Sequence, residues 1–343
     1  MQPLLVITGP TACGKSELAL RLAEGLGGEI VNLDSMQLFR GFDIGTAKPS
    51  IEQRQRVAHH LFDIRDPGDE SNVARYIEDA RKVVLELQFR GRLCVFAGGS
   101  TLYLTCLLHG LAALPGGKAE IRSELEARSS EDLYAELLRV DPDISLSIRP
   151  GDRLRIVRAL ETWQLSGSKP SLALRAHGHK EQRFTAIVIV LCRTRAELYA
   201  RINERACAML RDGLVQETKC LAAKYGTGLF QFRSLGYAQV LKHLRADLPL
   251  ENLAEEIAMQ TRRFAKRQMT YFRNEPAKRG WKVLPGASEG RLLEPAPVRG
   301  PAAKAKSFRV LECTFADLQQ RLQRRLAEPF SVNEIWFVAA AGL

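Results

Sequence analysis

Leu4-Leu5-Val6-Ile7-Thr8 runs directly into Gly9-Pro10-Thr11-Ala12-Cys13-Gly14-Lys15-Ser16, and this stretch decides the fold. The apolar run is short and is stopped by Gly-Pro, which predicts a strand buried on both faces. The next eight residues fit G-x-x-x-x-G-K-[ST], a loop whose backbone N–H groups converge on a phosphate. Lys15–Leu26 carries apolar residues at 18, 19, 22, 23 and 26, a helical stripe closed by Gly27-Gly28. Strand, glycine loop and helix in this order set an anion at a helix N-terminus. Gly9, Pro10, Thr11, Ala12, Cys13, Gly14, Lys15 and Ser16 are therefore expected to cradle a phosphate or diphosphate. Lys15 supplies a point charge and the Ser16 hydroxyl a ligand for Mg²⁺. The loop alone suits a nucleotide and a diphosphate ester equally.

Outward from the loop, strand and helix alternate. Glu29–Leu33 reads as a second strand, Val73–Arg90 as a long helix and Leu93–Ala97 as a third strand stopped by Gly98-Gly99. A further helix begins near Leu102. This predicts an α/β protein: a doubly wound parallel sheet of the P-loop NTPase type. Residues 118–180 are helical and polar, with long segments at Glu120–Glu136 and Arg153–Leu165, and read as a helical insertion domain. Strand signal returns at Phe184–Leu191, then come the helices Arg195–Arg211 and Glu251–Glu275, the latter stopped by Pro276. Over 285–301, seven of 17 residues are Pro or Gly, a linker. Beyond it lie an amphipathic helix at Phe315–Leu326 and an apolar strand-like run at Asn333–Ala340. The expected division is 1–117 and 181–284 as the two parts of the core, 118–180 as the insertion, and 285–343 as a linker and extension of unassigned role.

Composition narrows the class. The 343 residues are 45% hydrophobic and 26% charged, ordinary for a globular chain. No apolar run is long enough to span a bilayer, and the first residues lack the basic start of a secretory signal. No membrane partner is expected, and the expected compartment is cytoplasmic. Seven cysteines without a CxxC pair argue against a disulfide framework or zinc site. Fifty Lys and Arg against 39 Asp and Glu give a formal charge of +11, which favours a polyanionic partner such as nucleic acid.

Asp34 follows the second strand, and in an open α/β sheet the carboxyl ends of strands surround the ligand. A carboxylate there can hold Mg²⁺ through water or accept a proton from a nucleophile.

Further motifs follow in order: DSMQLFRGFDIGTAKP (34–49), HHLFDIRDP (59–67), AGGSTLYL (97–104), RIVRALE (155–161), FRSLGY (232–237) and KRQMTYFR (266–273). With the loop at 9–16, this set resembles the tRNA dimethylallyltransferase (tRNA isopentenyltransferase) family over residues 4 to about 284. The resemblance implies transfer of a dimethylallyl group from dimethylallyl diphosphate to N6 of the adenine just 3′ of the anticodon. It implies catalytic roles for Asp34, Thr11 and Arg205. Asp34 would accept the proton, while Thr11 and Arg205 would support the diphosphate with Mg²⁺. The tRNA anticodon stem-loop would meet Asp34, Ser35, Met36, Gln37, Ser100, Thr101 and Ser123. Contacts are also implied for Leu154, Arg155, Ile156, Val157 and Arg158, and for Phe232, Arg233, Ser234, Leu235, Gly236 and Tyr237. The last block would comprise Lys266, Arg267, Gln268, Met269, Thr270, Tyr271, Phe272 and Arg273. Arg155 and Arg158 share one helical face, as do Arg262, Lys266 and Arg273. Gln268, Tyr271 and Phe272 would hydrogen-bond or stack on splayed bases. A monomer is expected. The chain departs from the family pattern at Cys13, where a small hydroxyl residue is usual, in GGST for GGT, and in everything after 301. The spacing for a C-terminal zinc finger is absent. The competing readings are a P-loop kinase or NTPase, a prenyltransferase of free adenine nucleotides, and a non-catalytic RNA-binding protein.

Overall fold

A computed structural model describes residues 2–178, 183–284, 291–293, 308–329, 332–340 and 343. Two compact units emerge: Met1–Leu108 with Phe184–Leu343, and His109–Arg183.

The larger unit is built on strands β1 (Leu4–Thr8), β2 (Gly28–Asn32), β3 (His59–His60), β4 (Leu93–Ala97), β5 (Ala186–Cys192), β6 (Lys282–Leu284) and β9 (Glu334–Ala339). They form one seven-stranded sheet in the order β3-β2-β4-β1-β5-β9-β6. Every pairing is parallel; Val6 sits opposite Phe96 on one side and Val188 on the other. Burial on both faces explains the continuous apolar runs: Ala186–Cys192 is buried throughout. β7 (Arg291–Leu293) and β8 (Phe308–Val310) make a separate antiparallel pair. From β1 the sheet runs outward through β4, β2 and β3 on one side and through β5, β9 and β6 on the other. The carboxyl ends around β1 are thus the switch point where a ligand crevice forms.

The linker read over 285–301 lies outside the described residues except 291–293, which form β7. The end of the chain departs from the sequence reading. Glu334–Ala339 is no appended strand: it fills the sheet position between β5 and β6. The helix Phe315–Leu326 buries Leu318 and Leu322, and Arg21 of the helix Lys15–Leu26 lies 3.9 Å over the Phe315 ring. The long helix spans Leu250–Lys278 and continues past Pro276.

The smaller unit contains helices Ala119–Glu126, Ser130–Val140, Pro142–Ser145, Arg153–Ser166 and Pro170–His177. Leu125, Leu133, Leu137, Ile148, Ile156, Val157, Ala159 and Leu160 form its core. The segment read as one helix at Glu120–Glu136 is two, because the Ser129 hydroxyl accepts the Asp132 N–H at 3.1 Å and starts a new helix. The Glu161 carboxylate is wholly enclosed and receives the Lys118 N–H (3.0 Å), Arg122 (2.8 Å) and Arg158 (2.8 Å). Burial opposes its ionisation, but the two arginines hold its pKa below the usual range. Among the described residues, no helix is long and apolar enough to cross a membrane.

Candidate active site at the carboxyl end of the sheet

The loop at 9–16 leaves β1 through two positions that need glycine. Gly9 has φ +139°, and a Cβ there would stand 2.7 Å from the Leu191 carbonyl oxygen. Gly14 has φ +103° and sits at the N-cap of the helix Lys15–Leu26. The first-turn N–H groups of that helix have no helical partner, so they are available to an anion.

Three side chains fix the loop from outside. Arg193 donates to the Cys13 carbonyl at 2.8 Å and Arg201 to the Ala12 carbonyl at 2.9 Å. Gln268 accepts the Thr11 N–H at 2.9 Å. With its carbonyls held outward, the loop keeps its positive side toward the crevice. Arg193 and Arg201 escaped the sequence reading. Arg193 follows the end of β5 directly, the same position relative to its strand that singled out Asp34, and that signal was there to use.

Two cations meet inside. Burial lowers the pKa of Lys15, repulsion from Arg205 adds to it, and Cys13 and Asp34 oppose. Burial also lowers that of Arg205, against the attraction of Asp34 and Cys13. Among the described residues neither cation forms a salt bridge, so an anion bound here would relieve both.

Asp34 is positioned by its own strand. Its N–H donates to Asn32 Oδ1 at 2.8 Å, and Asn32 Nδ2 donates to the Asp34 carbonyl at 2.9 Å. One carboxylate oxygen accepts the Met36 N–H at 2.9 Å. The half-buried carboxylate faces a cavity of about 610 Å³. Thr11, Ser35, Met36, Ser100, Thr101 and Arg205 line it, with Arg233, Ser234, Leu235, Gly236, Arg267 and Gln268. Ile202, Ala206, Met209, Ile257 and Phe264 give it an apolar wall. A charged floor beside an apolar wall suits a ligand with a phosphate head and a hydrocarbon body.

The segment 37–49 is held as a rigid rim. Lys48 reaches the Phe39 carbonyl, Asp43 and Asp63 with its side chain only 3% exposed. Glu217 accepts the Ile44 N–H at 2.9 Å, and the Tyr237 hydroxyl donates to Glu217 and accepts the Gly45 N–H at 3.2 Å. Gln37 donates to the Thr46 carbonyl at 2.9 Å. Glu217 and Lys48 are supports that no motif exposed.

Several residues expected at the nucleic-acid surface are placed otherwise. Phe272 is fully buried and cannot stack on a base, and Gln268, 4% exposed, is occupied with the loop. Phe232 and Tyr237 are buried against Phe42, with ring centroids 5.5 and 4.9 Å away. Ile156 and Val157 lie in the core of the smaller unit. Hydrophobic positions inside a basic helix face inward by the same periodicity that puts the charges outside. Tyr271 meets the Thr105 hydroxyl, and Met269 and Arg273 are half-buried. Arg262 is engaged by Asn203 at 2.6 Å and by Glu255, so the stripe with Lys266 and Arg273 is no open cationic face. Exposed are Lys266, Arg267, Thr270, Arg233, Leu154, Arg155 and Ser123; Arg158 is paired with Glu161.

Among the described residues, no cluster of His, Cys, Asp or Glu could cage a metal. Exposed Ser16 opens the helix, so a divalent ion fits only as one shared with ligand phosphate and water.

Comparison with known proteins gives this geometry a family. The IPP transferase family profile matches residues 37–275. The tRNA dimethylallyltransferase of Anaeromyxobacter dehalogenans (strain 2CP-C) is 43% identical over 276 residues, 79% of this chain and 92% of its own. That of Geobacter sulfurreducens is 43% identical over 279 residues, 80% of this chain and 90% of its own. A crystal structure of the full-length tRNA isopentenylpyrophosphate transferase from Bacillus halodurans superposes with a TM-score of 0.59 at 34% identity, covering 80% of this chain and 88% of that one. Crystallographic snapshots of a eukaryotic dimethylallyltransferase acting on tRNA give a TM-score of 0.68 at 26% identity, covering 81% and 72%. With its P-loop, its Asp34 and its cationic floor in one crevice, the chain belongs to the tRNA dimethylallyltransferase family of transferases.

Proposed function

We propose that this protein transfers a dimethylallyl group from dimethylallyl diphosphate to N6 of the adenine immediately 3′ of the anticodon in tRNA. The observation that carries the reading is a cavity that sets the Asp34 carboxylate and Arg205 beside an apolar wall, with Lys15 near enough to feel the charge of both. The diphosphate lies on the helix N-terminus, against Lys15 and Arg205, with the dimethylallyl chain along Ile202, Met209 and Phe264. N6 attacks C1 of the chain; the C1–O bond breaks and its electron pair leaves with diphosphate. The N6 proton passes to Asp34. An exocyclic amine is a weak nucleophile, so a placed base contributes about 10²–10⁴-fold. Ser16 would help to hold Mg²⁺, which would supply charge neutralisation of the leaving group. The target base must be extruded from its stack, at a cost of about a few kcal/mol. Exposed Lys266, Arg267, Arg233 and Arg155 offset that cost through the tRNA backbone. The protein works in the cytoplasm, as a monomer.

The test is nucleoside mass spectrometry of tRNA after incubation with the protein, dimethylallyl diphosphate and Mg²⁺. Prenylated adenosine at the position 3′ of the anticodon is expected. Its absence, with tRNA-stimulated hydrolysis of ATP instead, would replace the reading with an NTPase.

A further inference from the structure

Gln268 stands on the long helix Leu250–Lys278, between exposed Arg267 and half-buried Met269. Its amide joins two separate walls of the cavity. Oε1 accepts the Thr11 N–H at 2.9 Å, and Nε2 donates to the Gly99 carbonyl at 2.9 Å. The two partners differ in kind, one a donor and one an acceptor, so they admit only one orientation of the amide. The side chain is 4% exposed, and a bond lost there leaves a buried group unsatisfied. Gly99 is shaped for it: a Cβ at that position would lie 2.5 Å from Nε2. Thr11 belongs to the P-loop, and Gly99 immediately precedes Ser100 and Thr101 at the end of β4.

We infer that Gln268 is a positioning residue that sets the P-loop and the β4 end at a fixed separation, and that it does not read the RNA. The inference rests on the proposed transfer reaction. Its two arms fix the wall that holds the leaving group and the wall that receives the acceptor base. It also commits the Thr11 N–H to the protein, so the diphosphate is left with the N–H groups further along, at Gly14, Lys15 and Ser16. Misplacement of one wall by an ångström costs up to about 10²-fold in rate.

The experiment compares wild type, Gln268→Met and Gln268→Glu in single-turnover transfer, in tRNA binding and in binding of inorganic diphosphate. Gln268→Met keeps the length and loses both bonds. Its transfer rate is expected to fall about 10–100-fold, with tRNA affinity within about twofold of wild type. Gln268→Glu still accepts from Thr11, cannot donate to Gly99, and brings negative charge to the loop. It is expected to bind diphosphate more weakly than Gln268→Met does. A wild-type rate in Gln268→Met, or a loss confined to tRNA affinity, overturns the inference. Gly99→Ala in the wild-type and Gln268→Ala backgrounds is the second measurement. The added methyl should impair diphosphate binding when the glutamine is present and have little effect when it is absent. Equal cost in both backgrounds overturns the inference as well. If wild type makes no prenylated adenosine, the transfer reading fails, while the diphosphate measurements still decide whether Gln268 sets the loop.

Discussion

Strand β2 carries a carboxylate near each end, and the two are treated in opposite ways. Glu29, at the start, is nearly enclosed and meets the His60 ring at 2.7 Å and two guanidinium groups, Arg90 at 3.0 Å and Arg92 at 3.2 Å. Burial opposes its ionisation, yet hydrogen bonds from His60 and Arg90 hold its pKa below the usual range. Asp34, beyond the other end, has one oxygen on a backbone N–H, while the nearby cations Lys15 and Arg205 form no salt bridge among the described residues. The tail strand repeats the first pattern: Glu334 at the start of β9 is bound by Arg325 at 2.9 Å and Lys282 at 3.6 Å. At the amino ends of the strands, charge is settled within the protein and contributes stability. At the carboxyl ends it is left unsettled, and a ligand completes it.

The sharpest way to break this contrast is Asp34→Asn. Transfer should fall by about 10²-fold or more, with the thermal midpoint within about 2 °C of wild type, since the Met36 N–H keeps an acceptor. Comparable activity in the variant would mean that the open carboxylate has no chemical task. The converse substitution, Glu29→Gln, should cost about 1–2 kcal/mol in denaturant unfolding. The figure is modest because Arg90 and Arg92 are 42% and 45% exposed and can turn to water. Its transfer rate at 25 °C should match wild type; a lowered rate would show that the two ends are coupled.

A smaller effect concerns the outer surface. Replacing exposed Lys266 and Arg267 with Ala should reduce the log–log salt dependence of tRNA binding by between about one and two units, at about 0.7–0.9 per lost phosphate contact. Parallel slopes would place the docking surface elsewhere. The smallest effect is on acid stability. Glu29, Glu161 and Glu334 all have lowered folded-state pKa values, so each contributes stability that is full above its unfolded value. That stability drains away as the pH falls below about 4.3 and through the folded values. Glu29→Gln should flatten the acid limb of a stability-against-pH curve, and an unchanged limb would remove Glu29 from the settled class.

Much of the fold around the site is legible in the sequence. Leu4–Thr8, Lys15–Leu26, Leu93–Ala97 and Arg195–Arg211 form the elements their patterns predict, because each combines a short period with a glycine or a cap. Asp34 stands out by its place at a strand end, while its part as a base is what the family resemblance implies. What escaped was decided by partners distant in sequence. β3 has two residues, too few for any period to register. Gln268 reads as one polar group in a basic helix, and only the packing of that helix on the loop turns it inward. Glu217 looks like any acidic residue near a helix start until the rim at 43–45 is laid on it. The run at Asn333–Ala340 has strand character, but nothing local says which edge it will join.

That last strand has a consequence for how the chain is made. Ala186 at the start of β5 bonds to Asn333 just before β9, 147 residues away in sequence. While the chain emerges from a ribosome, β5 can already pair with β1, but its other edge must wait for 334–339. β6 pairs only with β9 among the described strands, so it must wait as well. During that interval Ala-Ile-Val-Ile-Val-Leu-Cys is an uncovered, uncharged edge, the kind of strand that templates association between nascent copies. The speed of translation between β5 and β9, and the chaperones that meet the chain there, therefore bear on how much of this enzyme is ever recovered in soluble form.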